Sequence, residues 1–269
     1  MRSKPVPTDR YSGSPLSHAH PSEATRLRSL ELMLDPLTVT ALEGLRPRPD
    51  WRCLEIGGGG GSIARWLANR CPAGSVLATD VDVTLLDTGG APNITTQVLD
   101  LLTDPLPEAA FDLIHGRAVL VHLGDRDAII ARLARALVPG GWLVVDDPCV
   151  FGLENCPYPA MRRLVQAFDD CTAQVMGSDI RSPRRLPLAF AAAGLVELGL
   201  IHTPLLVGGG GSTMEVALVS TLERIRPMML AHGTITEREY AEGMALFADP
   251  SFLDTSFAHL AVWGRAPSR

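Results

Sequence analysis

The sequence predicts an α/β fold built on a mostly parallel sheet, and three observations carry that prediction. In the first, Leu54-Glu55-Ile56-Gly57-Gly58-Gly59-Gly60-Gly61-Ser62, an apolar strand pattern runs into five consecutive glycines and then directly into a helix pattern. The second is the alternation of short apolar runs with amphipathic helical segments from Arg52 to about Asp147, a spacing that requires parallel strands joined by right-handed crossovers. The third is what stands at the strand ends. Asp80, Asp100 and His115-Gly116-Arg117 follow strand patterns just as Gly57 does, and open parallel sheets bind ligands at their carboxyl ends.

Residues 1–21, with Pro5, Pro7, Gly13, Pro15 and Pro21, cannot hold a regular element and read as a flexible N-terminal arm. Residues 22–49 read as a helical cap. Ser22 can cap a helix carrying Leu27, Leu30 and Leu34, and Asp35-Pro36 begins a second helix, with aspartate at the N-cap and proline at the first helical position. Residues 50–269 read as the main domain. Its strands are Cys53–Ile56, Ser75–Asp80, Asn93–Val98, Phe111–His115 and Trp142–Asp146, with Ile63, Trp66 and Leu67 marking the buried stripe of the helix after the first. A helix with Ile129, Leu133 and Leu137 on one face joins the last two and is ended by Pro139-Gly140-Gly141.

After Asp147 the pattern changes. Met161, Leu164, Val165, Phe168, Cys171 and Val175 mark an amphipathic helix outside the simple βαβ steps, so residues of about 149–182 read as an inserted lid, and 208–250 as a second insertion. A helix at Leu186–Ala193 and a strand at Leu195–Leu206 resume the sheet. Gly208–Gly211 repeats the first glycine run superficially but has Leu206 where the first has Glu55; it reads as a hinge. Helices with Met214, Leu218, Leu222, Ile225 and Met229, and over Glu237–Phe247, precede a strand at Phe257–Trp263.

Composition narrows the function classes. With 46% hydrophobic residues in 269, the chain can fill a globular core. A net charge of −6 argues against a nucleic-acid phosphate surface and points to a small-molecule substrate. Lys4 is the only lysine, which argues against Schiff-base chemistry. Five cysteines without C-x-x-C or zinc spacing predict buried reduced thiols and no metal. No apolar run is long enough to span a membrane, and the polar, proline-broken start lacks signal-peptide character. A cytoplasmic location is the expectation, and the apolar extra helices would serve as a lid or as a homodimer contact.

The register of the glycines separates two readings of the junction. A dinucleotide fingerprint G-x-G-x-x-G begun at Gly57 needs glycine where Ser62 stands, and begun at Gly58 needs it where Ile63 stands. What fits is Glu55-x-Gly57-x-Gly59-x-Gly61, which resembles the first motif of the class I S-adenosylmethionine (SAM) methyltransferases. The resemblance runs over roughly residues 50–148. Thr79-Asp80-Val81 is similar to the acidic motif after the second strand, Leu99-Asp100-Leu101 to the adenine-contacting segment, Phe111–Leu123 to the fourth-strand motif, and Leu137–Val145 to the fifth-strand motif. Outside this core the chain resembles small-molecule methyltransferases of actinobacterial secondary metabolism, with Tyr11 and Glu23-x-x-Arg26-Leu27 similar to a cap that folds over the cofactor.

The resemblance implies a Rossmann-like seven-stranded sheet with the last strand antiparallel and SAM as cofactor. It assigns Asp100 to the adenine amino group, Leu101 to the ring face, and the backbone near Gly57 and Gly116 to the methionine portion. Asp80 stands 25 residues after Glu55, one crossover away, where a carboxylate can accept both ribose hydroxyls. The cofactor set is then Tyr11, Arg26, Glu55, Gly57, Gly59, Gly61, Asp80, Val81, Asp100, Leu101, Gly116 and Arg117. Methyl transfer needs alignment more than acid–base chemistry, but His122 and His115 are candidate bases, Asp147 could reach the acceptor, and Met161 and Phe168 could line an apolar acceptor pocket. The acceptor class implied is a natural product, with C-methylation of an indole or pyrroloindoline alkaloid among the family's reactions. A non-catalytic SAM-binding or cyclisation scaffold and an NAD-dependent oxidoreductase are the competing classes.

Overall fold

A computed structural model describes residues 17–268. Seven strands form one sheet: β1 (Arg52–Ile56), β2 (Ser75–Asp80), β3 (Ile94–Val98), β4 (Phe111–Arg117), β5 (Leu137–Val150), β6 (Val196–Gly208) and β7 (Leu253–Arg265), in the order β3-β2-β1-β4-β5-β7-β6. β1 to β5 pair in parallel, and β7 lies antiparallel between β5 and β6. The order reverses between β1 and β4, which places the switch point of the sheet beside the glycine turn.

The period-two alternation of the strands sorts their side chains onto two faces. Cys53, Leu113 and Val144 pack with α2 (Ser62–Arg70) and Leu42 of α1 (Glu23–Gly44). Leu54, Ile114 and Leu143 pack with α3 (Arg126–Ala136) and α5 (Leu186–Ala192) on the other face. A separate apolar core joins α4 (Pro159–Met176), α6 (Thr213–Ala231) and α7 (Glu237–Ala245), and includes Phe252 and Phe257. No helix of the described residues is long and apolar enough to cross a membrane.

Strands β4 to β7 differ in extent from the expected runs, and two boundaries marked by proline are not boundaries at all. Asp35-Pro36 does not begin a new helix, because α1 runs unbroken from Glu23 to Gly44 with Pro36 inside it. Asp35 is turned to other work, accepting from Ser62 and pairing with Arg117, and Ser22 makes no side-chain cap. Pro139-Gly140-Gly141 does not end a helix either. α3 stops at Ala136 and these residues already lie in β5, where the Gly140 N–H donates to the Ala266 carbonyl. Gly208–Gly211, all at positive φ, make the turn from β6 into α6.

Candidate cofactor and acceptor cleft

At the carboxyl ends of β1, β2 and β4 a cleft of about 990 Å³ opens, walled on one side by the strand ends and on the other by α1 and residues 17–19. The glycine turn forms its floor. Gly57, Gly59 and Gly61 all have positive φ (63°, 51° and 86°), a conformation that side chains with a Cβ resist. This accounts for three of the five consecutive glycines, and at the other two, Gly58 and Gly60, a Cβ would crowd Leu86 and Glu31. The loop is tied to β2 by the Gly59 N–H, which donates to Asp80 Oδ2 at 3.0 Å, and by the Gly58 N–H to the Thr79 carbonyl at 2.9 Å. Asp80 Oδ1 also accepts from the Asp82 N–H at 3.2 Å. Burial lifts the Asp80 carboxyl above its ordinary range, against the pull of those donors.

α1 lies across the loop through residues spaced one turn apart. Leu27 faces Gly59, Glu31 faces Gly60, and Asp35 Oδ1 accepts from Ser62 Oγ at 3.0 Å. The i, i+4, i+8 spacing of these three was present in the sequence, but their mixed polarity hid it from an apolar-stripe reading. Arg117, at the end of β4, reaches Asp35 at 2.8 Å and Thr38 at 3.0 Å, which fixes the cap to the sheet. Arg26 holds the wholly buried Glu23 through two hydrogen bonds, and Arg224 of α6 reaches the same carboxylate at 2.6 Å. The two guanidiniums exceed the one carboxylate they share by a single positive charge.

Of the cofactor residues expected from sequence, Arg26, Glu55, Gly57, Gly59, Asp80, Val81, Asp100, Leu101 and Arg117 line this cleft. Gly61 and Gly116 do not. Gly61 starts α2 in the left-handed conformation, and Gly116 lies so close to Ile56 that a Cβ would collide with it. The Asp100 carboxylate closes its own turn, accepting from the Leu102 N–H at 2.8 Å and from Thr103. Tyr11 lies outside the described residues. Leu27, named in the expected cap motif, also lines it, whereas Glu31, Val119, Met176 and residues 17–19 are lining groups that sequence reasoning did not find.

His122 lines the far end of the cleft and its Nδ1 meets Ser178 Oγ at 2.9 Å. Burial, with Arg26 and Arg126 nearby, pushes its pKa down to about 4, so the imidazole is neutral at physiological pH. Asp147 is buried and accepts the backbone N–H groups of Val119 and Val121, both at 3.1 Å. It thereby fixes the turn that presents His122 and does not face the cleft. Burial and the neighbouring Asp146 push Asp147 up to about 7.

Asp147 is thus a turn-holding group and not an acceptor contact, and three further expected site roles are corrected. His115 is fully buried beneath the cleft with Nδ1 at 2.6 Å from Glu55 Oε2 and cannot touch an acceptor. Met161 is fully buried in the core of α4, α6 and α7, and Phe168 packs against that same core. The helical stripe that suggested a pocket is a packing face, and the residue of α4 that reaches the cleft is Met176 at its end.

Residues 54–145 match a family model described as a methyltransferase domain. Over 97 residues the chain is 38% identical to methyltransferase str2 of Strobilurus tenacellus, a match covering 36% of this chain and 35% of that protein. The chain thus spans about a third of the length of the first curated relatives it matches. Phosphoethanolamine N-methyltransferase 2 of Haemonchus contortus, solved with S-adenosyl-L-methionine, superposes with a TM-score of 0.61 at 15% identity, over 92% of this chain and 58% of that one. The [4+2]-cyclase SpnF superposes with a TM-score of 0.54 at 19% identity, over 87% and 81%. These likenesses establish the Rossmann-like methyltransferase fold.

Proposed function

We propose that the chain is a SAM-dependent methyltransferase acting on a small-molecule, natural-product acceptor. The observation that carries this reading is the cleft itself. One space at the carboxyl ends of β1, β2 and β4 gathers a glycine loop, an acid at the tip of β2, and a cationic wall at Arg26. That donor set suits SAM: backbone for close approach, Asp80 for ribose hydroxyls, Leu101 for the adenine face, Arg26 for a carboxylate. When bound, SAM supplies a methyl group already activated by its sulfonium charge.

The chain's own residues then have three tasks. α1 and the strand ends hold the reactants in near-attack geometry, and the apolar Leu30, Val119, Leu123 and Met176 exclude water. His122, neutral and at the cleft end, can accept a proton from an acidic carbon, an indole or a hydroxyl as it is methylated. C-methylation of an indole or pyrroloindoline alkaloid is the finer form of the proposal, and kinship with actinobacterial secondary-metabolite enzymes would place it there. The N-terminal arm, the cap of residues 22–49 and the insertions at about 149–182 and 208–250 would cover the acceptor, in a cytoplasmic protein that pairs as a homodimer and contacts neither nucleic acid nor membrane.

Calorimetry with SAM, followed by mass spectrometry of acceptors for the gain of one methyl group, tests the reading. The fold likeness to a [4+2]-cyclase favours one second reading, a SAM-binding cyclisation scaffold. Tight SAM binding without methyl transfer across a broad acceptor panel would support it. Binding of NAD(H) without SAM would instead support an oxidoreductase.

A further inference from the structure

Beneath the cleft four ionisable side chains stand in one row across the adjacent strands β1, β4, β5 and β7: Glu55, His115, Asp146 and His259. Glu55 is directly opposite His115 in the pairing of β1 with β4. His115 Nδ1 is 2.6 Å from Glu55 Oε2, and its Nε2 is 3.5 Å from Asp146 Oδ1. Asp146 Oδ2 in turn lies 3.3 Å from His259 Nε2. None of the four side chains is more than 4% exposed. The methyl-transfer reading uses only the first of them, because Glu55 alone lines the cleft.

We propose that His115 is a positioning residue for the cofactor: a buried cation between two carboxylates that keeps Glu55 ionised and fixed at the cleft floor as counter-charge to the cofactor's cationic methionine end. The proposal rests on the SAM reading above. Two carboxylates buried in one row repel each other and resist ionising together unless a cation stands between them. His115 is so placed. Its Nδ1 occupies Oε2 of Glu55, while Oε1 carries no hydrogen bond from a described residue and is left for an occupant of the cleft. SAM carries positive charge on both its sulfonium and its ammonium, the charge that such an oxygen recognises.

The surrounding groups agree with the imidazolium form. Burial works against the charge on His115, but Glu55 and Asp146 together push its pKa up to about 10. Burial also raises Glu55, opposed first by His115 and then by Arg117 from the end of β4, with Asp146 adding to the rise. On the far side Asp146 is held well below the usual carboxylate range against its burial, by His115 and His259. Asp147, the next residue along, takes the penalty instead and is raised. Removing the cation from the middle of the row therefore falls first on Glu55.

His115→Gln keeps the size and a donor toward Glu55 but removes the charge. Loss of an opposite charge at this distance raises a carboxyl pKa by about 1–3 units, so the Glu55 carboxyl, which burial already raises, should rise further and lose its charge sooner as pH falls. SAM affinity of the variant, measured by calorimetry, should weaken about fivefold or more from pH 8.5 to pH 6.5, while the wild-type protein stays within about twofold. A merely structural histidine would lower affinity equally at both pH values, and that result overturns the proposal. Wild-type protein that binds no SAM at either pH overturns the cofactor reading and this proposal with it, whereas wild-type binding beside a flat variant profile overturns this proposal alone. Nitrogen-15 NMR of the wild-type imidazole gives a second measurement that does not depend on the variant folding. Both ring nitrogens protonated from pH 6 to 9 is the expected result, and deprotonation within that range overturns the assignment.

Discussion

Replacing Asp80 by alanine removes the acid at the tip of β2, and the structure fixes how much should be lost in folding and in binding. The carboxylate accepts two backbone N–H groups, from Gly59 at 3.0 Å and Asp82 at 3.2 Å. Each is a charge-assisted bond, but Asp80 lines an open cleft where water can reach freed N–H groups, and alanine relieves the desolvation that raises the Asp80 carboxyl. The net cost to stability should be about 1–2 kcal/mol, a fall in Tm of roughly 2–8 °C for a domain of this size. Binding should suffer more. A ribose offers two hydroxyl donors, and losing even one charge-assisted bond costs about 1.5–3 kcal/mol, so Kd for SAM should rise at least about tenfold. Calorimetry beside a melting curve reads both quantities, with Asp80→Asn, which retains an acceptor for Gly59 but no charge, falling between. Unchanged affinity with a normal melt would remove Asp80 from the site, and a collapse of Tm far beyond that range would mean the carboxylate serves the loop alone.

Gly59→Val should abolish SAM binding, because φ is 51° there and the new side chain would press on Leu27; a variant that binds normally would show the loop is misplaced. The His122 ring should titrate near pH 4, followed by NMR, so turnover should show no inflection from this imidazole between pH 5.5 and 8, and His122→Gln should lower it by about 10²-fold. Because that folded-state value lies below the ordinary one near 6.5, the native protein should lose stability relative to His122→Gln as pH falls from 6.5 toward 4; a midpoint above 6 would mean the ring is hydrated. Phe168→Ala should cost about 2–4 kcal/mol of stability while SAM affinity and acceptor KM hold, since the ring packs on the helical core. Met176→Ala should instead change acceptor KM, and the reverse pattern would return Phe168 to the acceptor pocket.

The features legible in the sequence are those written in short-range pattern. β2 has the bounds its apolar run predicts, and the glycine turn and the acid at its neighbour's tip stand where their spacing puts them. Proline and glycine misled at two places for the same reason. The local preference of Pro36 and Pro139 favours a break, but packing of α1 against the sheet and pairing of β5 with β7 outweigh it. Met161 and Phe168 show a further limit, since an apolar helix face looks alike whether it meets a ligand or another helix. The Glu55–His115–Asp146–His259 row was out of reach, because its members are spread over more than two hundred residues and only strand order makes them neighbours.

β7, last in the chain but inside the sheet between β5 and the edge strand β6, bears on how this chain acquires its structure. β5 and β6 are made long before β7, yet they have no contact as sheet neighbours until it slides between them, pairing antiparallel with both. A nascent chain lacking it would hold a five-stranded parallel half with a bare edge at β5 and β6 unpartnered, the kind of exposed edge on which other chains nucleate aggregation. His259 arrives on the same strand, so the charged row is finished by the step that closes the sheet. Until Leu253–Arg265 is in place, β5 keeps an open edge and β6 has no sheet partner, so this one strand closes the seam for both.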